Sequence, residues 1–435
     1  MRASIIGLGR IGLPLALALS ANGVIAYGFD LDDEWIKVLK KRTINLREKM
    51  FVETLSKVLD TTFYPLPYTK STLNYLDNVE YIIITIGVEP GGKRDKEVDL
   101  TPLLVIINDI HSYINDKTII MRTTVPIGTT RKIKQYIEEK YGLKEGKDYF
   151  LVYVPERLTE GIAIEEEMHL PKIIGAFNDE GFENAKRLFS VLPGPIYRAS
   201  SPEVAEFVKL LDNAFRNLLF AFVNELALLA EKIGVDFMEI LRLARSNYPR
   251  NKALATPGPV SGYCLSKDPI IFNTIFRSVM RADSLTFLGR LINERIIEWA
   301  ADKVSNGSKV VILGLSYKKD VDDYRMSHAI ELVKKLLKKE VLVYVHDPYL
   351  FKHRYTRLPQ EFRTRGVMIL KDIKELQRIK PEVVILATPH SEYIETCMLL
   401  DGEWLLLDLY NALYNFKQEF KKAKYRGLGV CPRYS

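Results

Sequence analysis

The stretch Ala3-Ser-Ile-Ile-Gly7-Leu-Gly9-Arg-Ile-Gly12-Leu-Pro-Leu-Ala-Leu-Ala-Leu-Ser-Ala21 decides how the first part of the chain folds. Ala3 to Ile6 is a short apolar run of strand type. A glycine turn follows at once, and Leu13 to Ala21 reads as a buried helix. Val24 to Phe29 is a second apolar strand, ending at Asp30. Gly7 permits a tight turn, Gly9 lets backbone approach a pyrophosphate, and Gly12 lets the helix pack on its strand. The helix N-terminus then offers unpaired N–H groups and partial positive charge to the phosphates. Asp30 lies 18 residues after Gly12, where a carboxylate accepts from both ribose hydroxyls and repels a 2′-phosphate. NAD is therefore expected in preference to NADP. A glycine triplet alone is a weak signal; here strand, helix, second strand and terminal acid stand in order.

The same region resembles an export signal or membrane anchor, since Ile11 to Phe29 holds no charge and Arg2 and Arg10 precede it. Pro14, Ser20, Asn22 and three glycines interrupt it, which favours the nucleotide turn. No other stretch approaches the ~18 uncharged apolar residues of a span. Over the whole chain, 435 residues suggest three domains. Hydrophobic residues at 47% and charged ones at 27% are globular proportions, excluding a disordered, collagenous or disulfide-stapled chain. The 62 Lys+Arg against 55 Asp+Glu give +7, suited to anionic small molecules. That excess is scattered through helices such as the one holding Lys334 to Lys339, which reads as a solvated face and not a nucleic-acid track. Cys264, Cys397 and Cys431 form no disulfide framework and no metal-ligand spacing, so a reducing, cytoplasmic setting without a metal is expected.

Further apolar strands follow at Tyr81 to Ile86, Lys117 to Arg122 and Tyr149 to Val154, with helices between them such as Leu100 to Ile114 and Thr129 to Tyr141. This alternation predicts a doubly wound parallel sheet with ligands at the carboxyl ends of its strands. Those ends carry Gly87-Val-Glu-Pro90, Thr123-Thr-Val-Pro-Ile-Gly128 and Pro155-Glu-Arg-Leu-Thr-Glu160. From Glu203 to Ile233 neither Gly nor Pro occurs, predicting one helix of about 45 Å. Its apolar residues cover much of its surface, as in a helix buried between subunits. Val235 to Ser246 and Asp283 to Val304 read as further helices. Alternation resumes with strands at Lys309 to Leu313, Val341 to His346, Val383 to Thr388 and Trp404 to Asp408, and a helix at His328 to Lys338. The expected architecture is α/β: two Rossmann-like doubly wound domains, 1–198 and 305–435, flanking an all-α dimerisation domain, 199–304.

Pro257-Gly-Pro-Val-Ser-Gly-Tyr-Cys264-Leu-Ser-Lys267-Asp268-Pro269 carries the most chemical information. A single cysteine is commonly a small buried hydrophobe. Here loop-forming residues precede it and a lysine follows, and a neighbouring ammonium favours the nucleophilic thiolate.

The chain resembles the UDP-glucose/GDP-mannose dehydrogenase family, the nucleotide-sugar 6-dehydrogenases. The resemblance runs over nearly the whole length. It rests on Gly7/Gly9/Gly12, Thr123-Thr-Val-Pro-Ile-Gly-Thr129, Pro155-Glu156, Ala205-Glu-Phe-Val-Lys209-Leu-Leu-Asp-Asn213 and the Cys264 segment. Gly314-Leu-Ser-Tyr-Lys318 and Asp322-Asp-Tyr-Arg325-Met-Ser327 complete it. It implies oxidation of a sugar C6 alcohol to a carboxylate in two hydride transfers to NAD, through a thiohemiacetal and a thioester on Cys264. It also implies that Lys209 stabilises oxyanion charge with Asn213 beside it. On the same resemblance Asp268 and Thr124 handle protons, Glu156 assists thioester hydrolysis, and Lys318 binds substrate. Arg325, Ile11 and Thr124 join the cofactor contacts; Arg157, Gly262 and Tyr317 join the substrate contacts. The segment Ser246-Asn-Tyr-Pro-Arg250 is similar to the Asn-x-His-Pro-Arg of the branch acting on UDP-N-acetylhexosamines, with Arg250 toward substrate. The order of preference is UDP-N-acetylmannosamine, UDP-N-acetylglucosamine, then UDP-glucose.

Three departures stand out. Pro-Val-Ser-Gly replaces a glycine-richer loop before Cys264, Glu89 sits in the Gly87 turn, and Tyr410 stands where many relatives carry arginine. Two other readings compete: a two-electron β-hydroxyacid-type dehydrogenase, and a non-catalytic nucleotide-sensing protein.

Overall fold

Runs of β-branched residues between helices build two sheets, each belonging to its own part of the chain. A computed structural model describes residues 1–43, 46–91, 97–352, 354–360, 362 and 366–430. Cys431 and the rest of the terminal segment 431–435 lie outside the described residues. The chain divides into two compact units, Met1–Asp212 with Ile270–Arg281, and Asn213–Pro269 with Ala282–Ser435.

In the first unit the strands are β1 (Arg2–Ile6), β2 (Ile25–Asp30), β3 (Phe63–Pro67), β4 (Tyr81–Ile84), the hairpin β5 (Glu89–Gly91) and β6 (Glu97–Asp99), β7 (Thr118–Met121), β8 (Phe150–Tyr153), β9 (Lys172–Ala176) and β10 (Ile196–Ala199). Helices α1 (Gly12–Ala21), α2 (Asp33–Lys40), α3 (Phe51–Val58), α4 (Thr101–Ile110), α5 (Thr129–Tyr141), α6 (Ala163–His169) and α7 (Asp179–Phe189) connect them. The large sheet has the order β10-β9-β8-β7-β4-β1-β2-β3. Its β3-β2-β1-β4-β7-β8 portion is the doubly wound order, with the switch point between β1 and β4. Adjacent residues serve opposite faces: Ile5 and Ile83 enter one core, Ile6, Ile82 and Ile84 the other. Burial on both faces is why these strands read as continuous apolar runs. The uncharged run after Gly12 is α1, buried from Gly12 to Ser20.

One junction departs from the expected parallel sheet. β9 runs antiparallel to β8, pairing Val152 with Ala176 and Tyr153 with Gly175; β10 then parallels β9. Glu167 gives the physical reason. Its carboxylate pairs with Arg122, just past the carboxyl end of β7, at 2.6 Å and with Lys172, where β9 begins, at 3.4 Å. All three side chains are buried, so the segment is held at the carboxyl edge and enters β9 from there, without a crossover.

The long helix is α8 (Pro202–Ile233), and the division between the units falls within it. It is followed by α9 (Phe237–Arg245), α10 (Tyr263–Met280), α11 (Leu285–Asp302) and α12 (His328–Leu336). In the second unit β11 (Lys309–Leu313), β12 (Leu342–His346), β13 (Met368–Ile369), β14 (Val383–Leu386), β15 (Leu405–Asp408) and β16 (Lys424–Gly427) form an all-parallel sheet of order β13-β12-β11-β14-β15-β16. It repeats the doubly wound order, with β11 central as β1 is in the first.

Candidate active site

The glycine turn after β1 has the geometry a dinucleotide requires. Gly7 adopts φ +102°, and its N–H donates to Phe29 O at 2.8 Å. A Cβ on Gly12 would lie 1.9 Å from Gly7 O, so α1 starts against the turn only because that residue is glycine. Thr85, just past β4, donates through Oγ1 to Ile6 O at 3.0 Å and Gly7 O at 2.7 Å. Asp30 Oδ2 accepts from Leu8 N at 2.9 Å and Oδ1 from Asp32 N at 3.0 Å. No side chain caps the start of α1 and no acid stands in its first turn. Ile11 and Gly9 are partly exposed in the turn. The uncapped N–H groups and the anchored carboxylate fit a pyrophosphate and a ribose diol. Asp30→Asn is expected to weaken NAD binding about tenfold, the value of one charged hydrogen bond, and to relax discrimination against NADP. Titration of both dinucleotides checks this; an unchanged preference removes Asp30 from the ribose site.

The carboxyl ends of the neighbouring strands supply the next groups. Thr124 is buried past β7. Glu156, past β8, is buried; its Oε1 accepts from Leu158 N and its Oε2 pairs with Lys209 Nζ of α8 at 3.1 Å. Lys209 and Glu156, chosen from motifs 53 residues apart, are thus one buried ion pair. Arg157 is held differently: its Nε donates to Asp212 Oδ2 at 2.5 Å, a half-buried pair. Glu206 received no role in the sequence reading. It is fully buried and accepts from Gly128 N at 2.5 Å, Thr130 N at 2.8 Å and Thr130 Oγ1 at 2.6 Å, capping the N-terminus of α5. Burial pushes its carboxyl up to about 7.

In the second unit Cys264 is the second residue of α10 and partly exposed. Asp268, one turn later, takes Asn213 Nδ2 at 2.5 Å on one oxygen and Lys267 Nζ at 2.8 Å on the other. Asn213, Lys267 and Asp268 are all buried. The Lys267 ammonium also lies 4.9 Å from the Tyr263 ring centroid, and the Arg325 guanidinium lies 5.2 Å from it. Arg325 is fixed by Asp323, its Nε donating to Oδ2 at 2.9 Å. Gly262 adopts φ +88°, and a Cβ there would meet Tyr317 Cδ2 at 2.4 Å, so two expected substrate contacts pack on each other. Ser316 Oγ donates to Lys318 O at 2.8 Å, turning the chain at Lys318. Arg250 stands exposed after α9, its Nε donating to Tyr248 Oη at 2.7 Å. The Glu89 side chain is exposed on the β5–β6 hairpin.

Sequence reasoning missed the asparagine ladder beneath the thiol segment. Asn217 Nδ2 donates to Thr286 O at 2.7 Å and Asn293 Nδ2 to Asn217 Oδ1 at 2.9 Å; Asn224 Nδ2 donates to Asn293 Oδ1 at 2.9 Å. The signal was present: Asn213, Asn217 and Asn224 recur at helical spacing along α8.

Comparison with known proteins agrees with the fold. Residues 1–192 match the NAD binding domain of the UDP-glucose/GDP-mannose dehydrogenase family, 203–295 its central domain and 311–414 its UDP binding domain. A UDP-N-acetyl-D-mannosamine dehydrogenase of Pyrococcus horikoshii is 31% identical over 367 residues, covering 80% of this chain and 84% of that protein. A UDP-N-acetyl-D-glucosamine 6-dehydrogenase of Pseudomonas aeruginosa is 25% identical over 90% of this chain and 91% of its own. The solved structure of a UDP-D-ManNAc dehydrogenase from P. horikoshii superposes with a TM-score of 0.82 at 28% identity, covering 99% of each chain. Three domains of one family in succession are more than a shared glycine turn could produce: the chain belongs to the UDP-glucose/GDP-mannose dehydrogenase family and is an NAD-dependent nucleotide-sugar dehydrogenase.

Proposed function

We propose that this dehydrogenase oxidises the C6 alcohol of UDP-N-acetyl-D-mannosamine to the uronic acid through a covalent adduct on Cys264. The observation that carries the reading is the first turn of α10. Cys264 and Asp268 share a face one turn apart, and Asp268 is held by Asn213 and Lys267. NAD, when bound, accepts one hydride in each of the two oxidations. The Cys264 thiolate adds to the C6 aldehyde, since an aldehyde has no second hydride to give until a nucleophile has added. Lys209 and Asn213 stabilise the oxyanion of this hemithioacetal. Asp268 and Thr124 take and return protons through water. Glu156 assists water in cleaving the resulting thioester, which releases the acid and regenerates the thiol. Arg157, Arg250, Gly262, Tyr317 and Lys318 grip the nucleotide sugar, while Gly7, Gly9, Ile11, Gly12, Asp30 and Arg325 serve NAD.

The three parts of the chain, 1–198, 199–304 and 305–435, take the roles of NAD binding, dimerisation and nucleotide-sugar binding. Support for a homodimer comes from α8, where Val204, Phe207, Leu211, Phe215, Phe222 and Leu229 are exposed at helical spacing, an apolar stripe that a second copy would cover. No helix among the described residues is long and apolar enough to cross a membrane, and the reaction is assigned to the cytoplasm, where thiols stay reduced.

The choice of sugar follows the Pyrococcus relative and the Ser246–Arg250 segment. A panel of UDP-N-acetylmannosamine, UDP-N-acetylglucosamine, UDP-glucose and GDP-mannose, each assayed for NADH formation, tests it. The first is expected to give the highest kcat/KM; a higher value with any other reassigns the substrate.

A further inference from the structure

The five residues before α10 begins with Tyr263 and Cys264 are anchored from four directions. Asn224 of α8 clamps Gly258 on both sides of its residue: Nδ2 donates to Gly258 O at 3.0 Å and Oδ1 accepts from Gly258 N at 2.9 Å. Behind it stands the buried ladder of Asn293 and Asn217. Tyr410, just past β15, donates from Oη to Pro259 O at 2.9 Å. Its ring covers Gly258 so closely that a Cβ there would meet Cδ1 at 2.5 Å. Ser261 Oγ lies 2.8 Å from Nδ1 of His328, at the start of α12, and His328 Nε2 lies 2.6 Å from Ala387 O. Ala387 O can only accept, so Nε2 carries the proton and Nδ1 accepts from the serine. Burial holds His328 down to about 4, keeping that tautomer neutral. The rings of His328 and Tyr410 meet nearly edge to face at 5.6 Å. Finally Gly262 N donates to Met326 O at 3.1 Å, and Gly262 O accepts the first helical bond, from Ser266 N at 3.1 Å.

Two of these anchors are side chains noted above as departures. A flexible glycine loop would leave α10 free to shift at its start. Here Ser261 attaches the loop through His328 of α12, Tyr410 attaches it directly from the segment past β15, and the rings of His328 and Tyr410 pack on each other. We propose that Tyr410 and the Ser261–His328 pair are positioning residues that fix the Gly258–Gly262 segment and thereby set the attack position of Cys264. This rests on the reading of Cys264 as the nucleophile.

Small displacements of a nucleophile cost rate more than binding, up to about a hundredfold per ångström. Tyr410→Phe and Ser261→Ala in the full-length enzyme each remove one anchor with little change of volume. Each is expected to lower kcat about tenfold, with KM for the sugar and for NAD within about twofold of the parent. Each is also expected to alter the pH profile of Cys264 alkylation by iodoacetamide, followed on the Cys264 peptide. Ser261→Thr, which keeps the hydroxyl, is expected to restore both readouts, which separates lost positioning from lost packing. Unchanged kcat and unchanged alkylation profiles in Tyr410→Phe and Ser261→Ala, with Cys264→Ser inactive, would overturn the positioning while leaving the nucleophile in place. A Cys264→Ser enzyme that still forms acid would instead remove the nucleophile, and the alkylation profiles would then decide the positioning alone.

Discussion

Cys264→Ser is expected to reduce net acid formation about 10³-fold or more, the scale on which removal of a covalent nucleophile acts, while binding of NAD and the UDP-sugar survives. The physical reason is the order of events. The C6 aldehyde cannot give up a second hydride until a nucleophile has added, and a serine hydroxyl lacks the thiolate's nucleophilicity near neutral pH. The substitution is nearly isosteric at a partly exposed site, so the fold is not at stake. Product analysis by mass checks it. Acid formed at the parental rate would exclude the covalent route.

Lys209→Met is expected to have the second-largest effect, on two quantities at once. Lys209 and Glu156 are a buried pair with each side chain 6% exposed. Removing the ammonium leaves a carboxylate buried with only Leu158 N of its known partners, at a cost of about 3–5 kcal/mol in unfolding free energy. Loss of oxyanion stabilisation lowers kcat by about 10²–10³. A second change separates the two. Lys209→Met combined with Glu156→Gln removes both charges, so most of the stability should return while kcat stays low. Denaturant melts and initial rates on the three variants check this. Parallel recovery of rate and stability in the double variant would make the pair structural only.

Much of this was legible before any coordinates, and the divide between what was read and what was missed is physical. Strands buried on both faces, such as β1, β4, β7, β11 and β14, are unbroken apolar runs and were found within a residue or two. Every sheet edge was missed. β3 reads Phe-Tyr-Pro-Leu-Pro, tolerable only because edge strands need not donate along their outer side. β16 reads Lys-Tyr-Arg-Gly, and β13 has two residues. β9, next to an edge, opens on Lys172, whose charge made it look like loop. Its burial with Glu167 was invisible because the partners lie outside any period. In the site, residues joined through one helix, Cys264 with Asp268, could be grouped by spacing. Asn224 with Gly258 and Ser261 with His328 could not, since those bonds span 34 and 67 residues. Ser261 and Tyr410 were noticed only as oddities; the structure gives them a shared partner.

The most direct test of the account is the amount of NADH released per limiting nucleotide sugar, run to completion with excess NAD. The covalent four-electron route through Cys264 predicts about two NADH per sugar and one uronic acid. One NADH per sugar, with the reaction halting at an aldehyde or ketone, would contradict it and put a simple two-electron dehydrogenase in its place.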